Sequence, residues 1–322
     1  MPMNNSTLHF VCVLLILCIS LSQAAPPEVG FYSYTCPNAE SIVESVVREA
    51  TLTSPRTPAL LLRLHFHDCF VEGCDGSILI DNGASDLERF AAGHLGLGGF
   101  GAIEKAKLEI ESQCPGVVSC ADIVAMAARD AIALTGGPVY EVETGRRDGR
   151  VSNRNLASDM PDVDDSIDTL ISKFVAKGLS PQDLVLLSGA HTIGTTACFF
   201  MPRRLYNFNS TNKSDPRISP QFLPELRRMC PKDGGSGARI SLDPVTPGSF
   251  DSQVMDNIKT GFAVLASDAQ LYDGGLTREV VDSYAGGSQF GEDFAKAMVR
   301  MGRIGVKSGE NGEIRVKCGS FN

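Results

Sequence analysis

The sequence has no tryptophan and only five histidines, and aromatic residues make up 7% of it. A core of any size must therefore be packed from Leu, Ile, Val, Phe and Met. Lysine, arginine, aspartate and glutamate are absent from the first 25 residues. That stretch holds instead the apolar run from Phe10 to Leu21, followed by Ser22-Gln23-Ala24-Ala25. The run falls short of the roughly 20 residues a membrane span needs. Small residues after it suit cleavage, so residues 1–25 read as a secretory signal peptide. The competing reading, a buried N-terminal helix, lacks an amphipathic pattern. No later apolar run is long enough to span a bilayer, and no membrane partner is expected. All charged residues follow the signal, so the chain after it carries the whole net charge of −9. That balance argues against nucleic acid or an anionic membrane surface as a partner. Paired C-x-x-C spacing, internal repeats and coiled-coil heptads are also missing, which disfavours thiolate metal sites and repeat folds.

Of the ten cysteines, Cys12 and Cys18 lie in the signal. Cys36, Cys69, Cys74, Cys114, Cys120, Cys198, Cys230 and Cys318 remain, and an even number in an exported chain points to disulfides. Spacing does not choose among the pairings; only Cys69 and Cys74 are near enough to suggest a local loop closure. The apolar periodicity is mainly helical. Ile42, Val43, Val46 and Val47 form one stripe of a helix starting at Ala39. Helices are also predicted over 58–70, 100–113, 119–137, 166–178, 180–194, 219–230 and 292–305, with Ser180-Pro181 as an N-cap and first-turn proline. Strand signals are confined to 139–145 and 313–318, and Gly- and Asp-rich loops fill 82–99 and 232–249. The predicted class is all-α with minor short strands, in one large domain or two lobes.

Residues 63–77 read RLHFHDCFVEGCDGS. Arg63 and His67 stand at i and i+4 on a helix and share a face, whereas His65 points elsewhere. A guanidinium beside an imidazole suits proton transfer with developing negative charge; a buried, hydrogen-bonded structural pair is the alternative. Next come the side-chain oxygens of Asp68, Asp75 and Ser77, with the carbonyls of Val71 and Gly73 between them. Mixed hard oxygens suit Ca²⁺, and an acidic surface turn is the competing reading. His191 lies in an apolar helical stretch among Ser188, Gly189, Ala190 and Gly194, where it reads either as a haem-iron ligand approached by a flat macrocycle or as a core histidine. Asp268 is a candidate carboxylate for its second ring nitrogen. Thr192, Asp243, Thr246, Ser249 and Asp251 are candidates for a second calcium site.

Four segments, RLHFHDCFVEGCDGSIL, GVVSCADIVAMAARD, DLVLLSGAHTIG and LDPVTPGSFD, together resemble the secretory plant peroxidases, the class III haem peroxidases. The likeness runs from Tyr34 to Cys318. It implies the haem peroxidase fold, with a distal lobe over roughly residues 26–165, a proximal lobe over roughly 166–322, haem b between them, and the C-terminus tied back to the distal lobe. It implies His67 as distal acid–base catalyst, Arg63 as its partner and Phe66 as a shield of the distal haem face. His191 matches the proximal iron ligand and Asp268 the carboxylate that polarises it. Asp68, Val71, Gly73, Asp75 and Ser77 match a distal calcium site, with Glu88 reaching it through water. Thr192, Asp243, Thr246, Ser249 and Asp251 match a proximal one. Pro161 matches a proline beside the aromatic-substrate pocket. The family pairs its cysteines 36 with 114, 69 with 74, 120 with 318 and 198 with 230. The implied reaction is reduction of hydrogen peroxide with oxidation of small phenolic donors, in a family setting of lignin or suberin formation, wall cross-linking and peroxide removal. The expected state is a secreted monomer in the cell wall or apoplast.

Two departures stand out. The family usually has Asn where this chain has His94, to accept the Nδ1 proton of the distal histidine. A neutral His94 can still accept, and a protonated one cannot, so activity is expected to fall at mildly acidic pH. The usual Arg-Gly-Phe after this loop is Gly98-Gly99-Phe100, which loses a charge. Asn209 and Asn212 open glycosylation sequons in a polar loop. Only four residues follow Cys318, so no long C-terminal vacuolar extension is expected. The contrasting hypothesis is a catalytically idle, calcium-stabilised wall-binding protein, against which intact Arg63, His67, His191 and Asp268 argue. An intracellular ascorbate-type peroxidase is disfavoured by the signal and the cysteines.

Overall fold

The computed structural model describes residues 26–211, 213–233, 237–287 and 289–322. The expected signal peptide and Asn212 lie outside the described residues. Helices dominate, as the periodicity requires. The first four are α1 (Ala39–Thr53), α2 (Thr57–Phe70), α3 (Phe100–Gln113) and α4 (Cys120–Leu134). After them come α5 (Ile167–Ala176), α6 (Pro181–Ser188), α7 (Pro202–Tyr206), α8 (Leu223–Met229), α9 (Gln253–Thr260), α10 (Ala266–Gln270), α11 (Gly275–Tyr284) and α12 (Phe290–Met301). The chemistry of their starts is local. Ser119 caps α4 by accepting the Asp122 N–H at 3.1 Å, and Ser180 and Asp183 form a capping box on α6 with Pro181 in the first turn.

Helix α2 separates two cores. Its Leu61 and Leu64 pack with α1, α3 and α4 through Val43, Val46, Ile103, Ile110 and Ile123. Its Leu62, Cys69 and Phe70 pack with α5, α6, α9 and α12 through Phe174, Leu186, Met255, Phe294 and Met298. Phenylalanine clusters supply the bulk that tryptophan would have given. Phe66 and Phe70 lie 4.3 Å apart and Phe70 and Phe174 4.8 Å, while Phe250 meets Phe294 at 4.8 Å. A third, smaller core around Leu205, Phe222 and Leu226 is closed by the Cys198–Cys230 disulfide. The other bridges are Cys36–Cys114, Cys69–Cys74 and Cys120–Cys318, so all four pairings implied by the resemblance occur. Cys318 joins the first core, and buried Arg315 donates to the carbonyls of Gly76 and Cys318 at 2.7 Å each. The C-terminal segment is thereby pinned beside the loop that follows α2.

Three local expectations are corrected. The helix predicted over 180–194 stops at Ser188, and His191 sits in a following 3₁₀ turn, Gly189–Thr192. Gly189 packs under Phe290, where a Cβ would approach its ring to 2.5 Å, and Gly194 takes φ +97°, so the backbone turns out of the helix around the histidine. Residues 313–318 do not form a strand; Glu313 makes a single bridge with Asp148. Of 139–145, only β2 (Glu143–Thr144) pairs, with β1 (Glu28–Val29). The antiparallel pair β3 (Thr195–Ala197) and β4 (Arg239–Ser241) was not anticipated, because two three-residue strands carry no readable alternation.

Candidate active site

Helix α2 sets the first wall. Leu60, Arg63 and Phe66, three residues apart, are partly exposed, while the residues between them are buried. On a helix that spacing is one stripe facing an opening inside the fold. Arg63 is held by the 92–96 loop, donating to the carbonyls of Leu95 at 3.2 Å and Gly93 at 3.4 Å. Burial, then the positive charge of Arg239, lowers its pKa to about 10, so it stays cationic at neutral pH.

His67 lies one residue beyond the stripe and is buried. Its Nδ1 is 2.8 Å from Nδ1 of His94. One hydrogen is shared between two ring nitrogens, so two tautomer pairs satisfy the contact. Only the pair in which His67 donates leaves His67 Nε2 free as a base, and it puts a proton on His94 Nε2, a buried atom with no hydrogen-bond partner. Burial, then Arg63, then His94 hold the His67 pKa well below the ordinary histidine value, which keeps it neutral. Burial and Arg63 also lower His94, to about 4. The acid-side loss expected from the sequence is therefore displaced from the mildly acidic range to near that value. Gly98 and Gly99 close on Leu60 and Leu61, with Gly99 at φ +91°, and the guanidinium of Arg89 stands 4.2 Å from the Phe100 ring.

The opposite wall carries His191, 35% exposed, whose Nδ1 is 2.8 Å from Asp268 Oδ1. Burial depresses this imidazole, but the charge and hydrogen bond of Asp268 outweigh it and the pKa is raised. The positive charge of Arg63 works against this rise, so the guanidinium lies near enough for His191 to feel it. Bonding through Nδ1 leaves Nε2 available for a metal. A partly exposed stripe, and an imidazole backed by a carboxylate within reach of the Arg63 charge, fit a flat iron-bearing macrocycle.

The two oxygen-rich sets also assemble. Thr192 Oγ1 lies within 3.5 Å of Asp243 Oδ2 and 3.3 Å of both the Ser249 carbonyl and Asp251 Oδ1. Thr246 Oγ1 is 3.2 Å from Asp243 and 3.1 Å from Asp251. Two hydroxyl protons face more oxygens than they can serve, which a cation remedies. In the set after α2, Asp68 Oδ1 and Glu88 Oε1 are buried without a partner. Ser77 Oγ donates to Glu88 Oε2 at 2.8 Å, which ties Glu88 to the edge of this set. Burial and the neighbouring carboxylates push Asp68 well up and Glu88 up to about 9, the signature of anions that call for a counter-charge. Among the described residues no three His, Cys, Asp or Glu side chains converge as a metal centre; both sets rely on hydroxyls and carbonyls as well.

Not legible from the sequence were the Gly93 and Leu95 carbonyls, the Asn257 amide that donates to Asp243 at 3.0 Å, and Lys177 and Lys307, which reach the loop after α2 from distant segments. Backbone acceptors and distant cations carry no motif. Pro161 is partly buried beside Met160 of the second core, and the hydrogen bonds described do not tie its loop to His67 or His191. Asn209 is exposed, with φ +49°. A groove of about 970 Å³ lies elsewhere, between 136–143 and α12. Its arginines are paired within the chain, Arg300 with Asp183 and Arg303 with Glu143, and it holds no histidine.

A profile of the peroxidase family matches residues 43–287. The chain belongs to the class III plant haem peroxidases. It is 60% identical to Peroxidase 43 of Arabidopsis thaliana over 301 residues, 92% of each chain. It is 56% identical to Peroxidase 13 of the same plant over 306 residues, covering 93% of this chain and 94% of the relative. The Lignin-forming anionic peroxidase of Nicotiana sylvestris is 45% identical over 328 residues, 99% of this chain and all of that one. This peroxidase accordingly uses hydrogen peroxide to oxidise phenolic donors, and its family depends on haem and binds calcium. No helix among the described residues is long and apolar enough to cross a membrane.

Proposed function

We propose that this peroxidase is secreted to the cell wall space as a monomer, carries one haem b and two calcium ions, and works through His67 and Arg63 on one wall and His191 and Asp268 on the other. The observation that carries the assignment is the His67–His94 contact at 2.8 Å in a helix wall that also presents Arg63. His191 Nε2 would hold the haem, which would supply the two-electron redox chemistry. His67, kept neutral, takes the proton of the peroxide oxygen that binds and returns it to the departing oxygen, so water leaves rather than hydroxide. Arg63 stabilises the negative charge that develops as the O–O bond breaks. Asp268 holds the Nδ1 proton of His191, which raises the basicity of Nε2. Phe66 closes the apolar side of the pocket, and Pro161 borders the approach of the phenol. Asp68, Val71, Gly73, Asp75, Ser77 and Glu88 would hold one calcium, and Thr192, Asp243, Thr246, Ser249 and Asp251 the other. Asn209 and Asn212 are the proposed glycosylation positions. A distal lobe and a proximal lobe in one domain suit the two walls.

The test is reconstitution of the mature chain with haem and calcium. We expect a Soret band that His191→Ala loses, and peroxide-dependent oxidation of a simple phenol that His67→Leu loses while keeping the Soret band. A wild-type Soret band without turnover would leave the idle wall-protein hypothesis standing.

A further inference from the structure

The loop after α2 is approached by two lysines from distant parts of the chain. Lys307 Nζ lies 2.5 Å from Asp75 Oδ2 and 3.3 Å from the Glu72 carbonyl. Lys177 Nζ, just past the end of α5, lies 2.8 Å from the Val71 carbonyl. Lys307 is not a loose surface cation swept into contact. Its carbonyl accepts from Arg147 N at 2.9 Å, and the segment before it is seated on the loop, with Cys74 N donating to the Ile304 carbonyl at 2.9 Å. Gly73 and Gly305 are so close that a Cβ on Gly73 would stand 2.6 Å from the Gly305 carbonyl oxygen. Asp75 is buried, and its other oxygen accepts the Ser77 N–H at 3.0 Å.

We propose that Lys307 is a built-in counter-ion of the calcium loop, which weakens calcium binding and keeps the loop folded when calcium is scarce. The inference rests on the assignment of residues 68–88 as a calcium site. Asp75 is counted as a ligand, yet one of its oxygens already faces an ammonium. A fixed positive charge beside the carboxylate repels an arriving dication and takes up part of the charge that would attract it. The same ammonium offsets the cost of burying the Asp75 carboxylate, which is 1% exposed. Lys177 adds a second positive charge on the rim. The cation is thus part of the balance, setting how much free calcium the loop needs.

The experiment measures calcium affinity of the folded holoenzyme by chelator competition, with thermal unfolding in EGTA and in excess calcium. Variants are Lys307→Met, Lys307→Gln and the charge-keeping Lys307→Arg. One of the two macroscopic constants should tighten about tenfold in the Met and Gln variants, the other should not move, and Lys307→Arg should stay near wild type. The Met and Gln variants should melt earlier than wild type in EGTA, so that the gap opened by calcium widens. Unchanged or weaker binding in both neutral variants overturns the proposal. A wild type that takes up no calcium at all overturns the calcium assignment itself, an outcome distinct from a wild type that binds and is unaffected.

Discussion

His94 offers a sharp test of the site, because its effect on activity and its effect on stability share one cause. Its Nδ1 faces that of His67 at 2.8 Å, and it is 2% exposed. Replacing it by leucine leaves the buried His67 N–H without an acceptor, which costs about 1–3 kcal/mol. If that cost falls on the working tautomer, kcat/KM for peroxide drops about 10- to 100-fold. His94→Asn keeps an acceptor oxygen and should retain most activity. The two active proteins then differ in acid. The folded pKa of His94 is about 4 against an ordinary 6.5, so protonation is resisted in the fold. As pH falls below 6.5 the unfolded chain takes up this proton and the folded one does not, and stability declines until about pH 4, by about 3 kcal/mol. Below about pH 4 the imidazolium can no longer accept from His67, and activity falls with it. His94→Asn should lack the His94 share of both changes, while the stability decline due to the buried, depressed His65 and His67 remains in both proteins. The assays are kcat/KM for peroxide against pH at saturating phenol, and urea unfolding at the same pH values. An acid limb in His94→Asn that coincides with the wild type would refute the reasoning, as would a His94→Leu enzyme of full activity.

Other expectations follow from the same geometry. His67→Leu should lower kcat/KM for peroxide by about 10²–10⁴ through loss of the proton carrier, read in stopped-flow peroxide kinetics with haem content unchanged. Asp268→Asn removes the charge behind His191 and should weaken haem retention or turnover about 10- to 100-fold, measured by haem transfer to apomyoglobin. Chelation of calcium should lower the melting temperature and calcium return should restore it, since a ligand bound only to the folded state stabilises it. The Cys120–Cys318 bridge spans 198 residues and Cys69–Cys74 only 5. Paired serine replacements should therefore cost about 5 kcal/mol at the first and about 2 kcal/mol at the second in the chain-entropy account. Equal midpoint shifts in denaturant would contradict that ordering.

Much of this protein can be read along the chain because its determinants are local. The stripe of Ile42, Val43, Val46 and Val47, the Ser119 and Ser180 caps and the i, i+4 pairing of Arg63 with His67 each depend on residues within one or two helical turns. The ligand-type runs at 68–77 and 243–251 are equally compact. What tertiary structure decided is whatever joins distant segments. Asp268 meets His191 across 77 positions, Lys307 meets Asp75 across 232, and the C-terminal Arg315 reaches Gly76 across 239. Helix α6 stops before His191 at Gly189, which is seated under Phe290, a contact visible only in the fold. His94 shows the division in one residue. Its identity and its place in the loop are sequence facts, but its low pKa is not. Burial and the Arg63 charge exist only once the 92–96 loop has folded over α2.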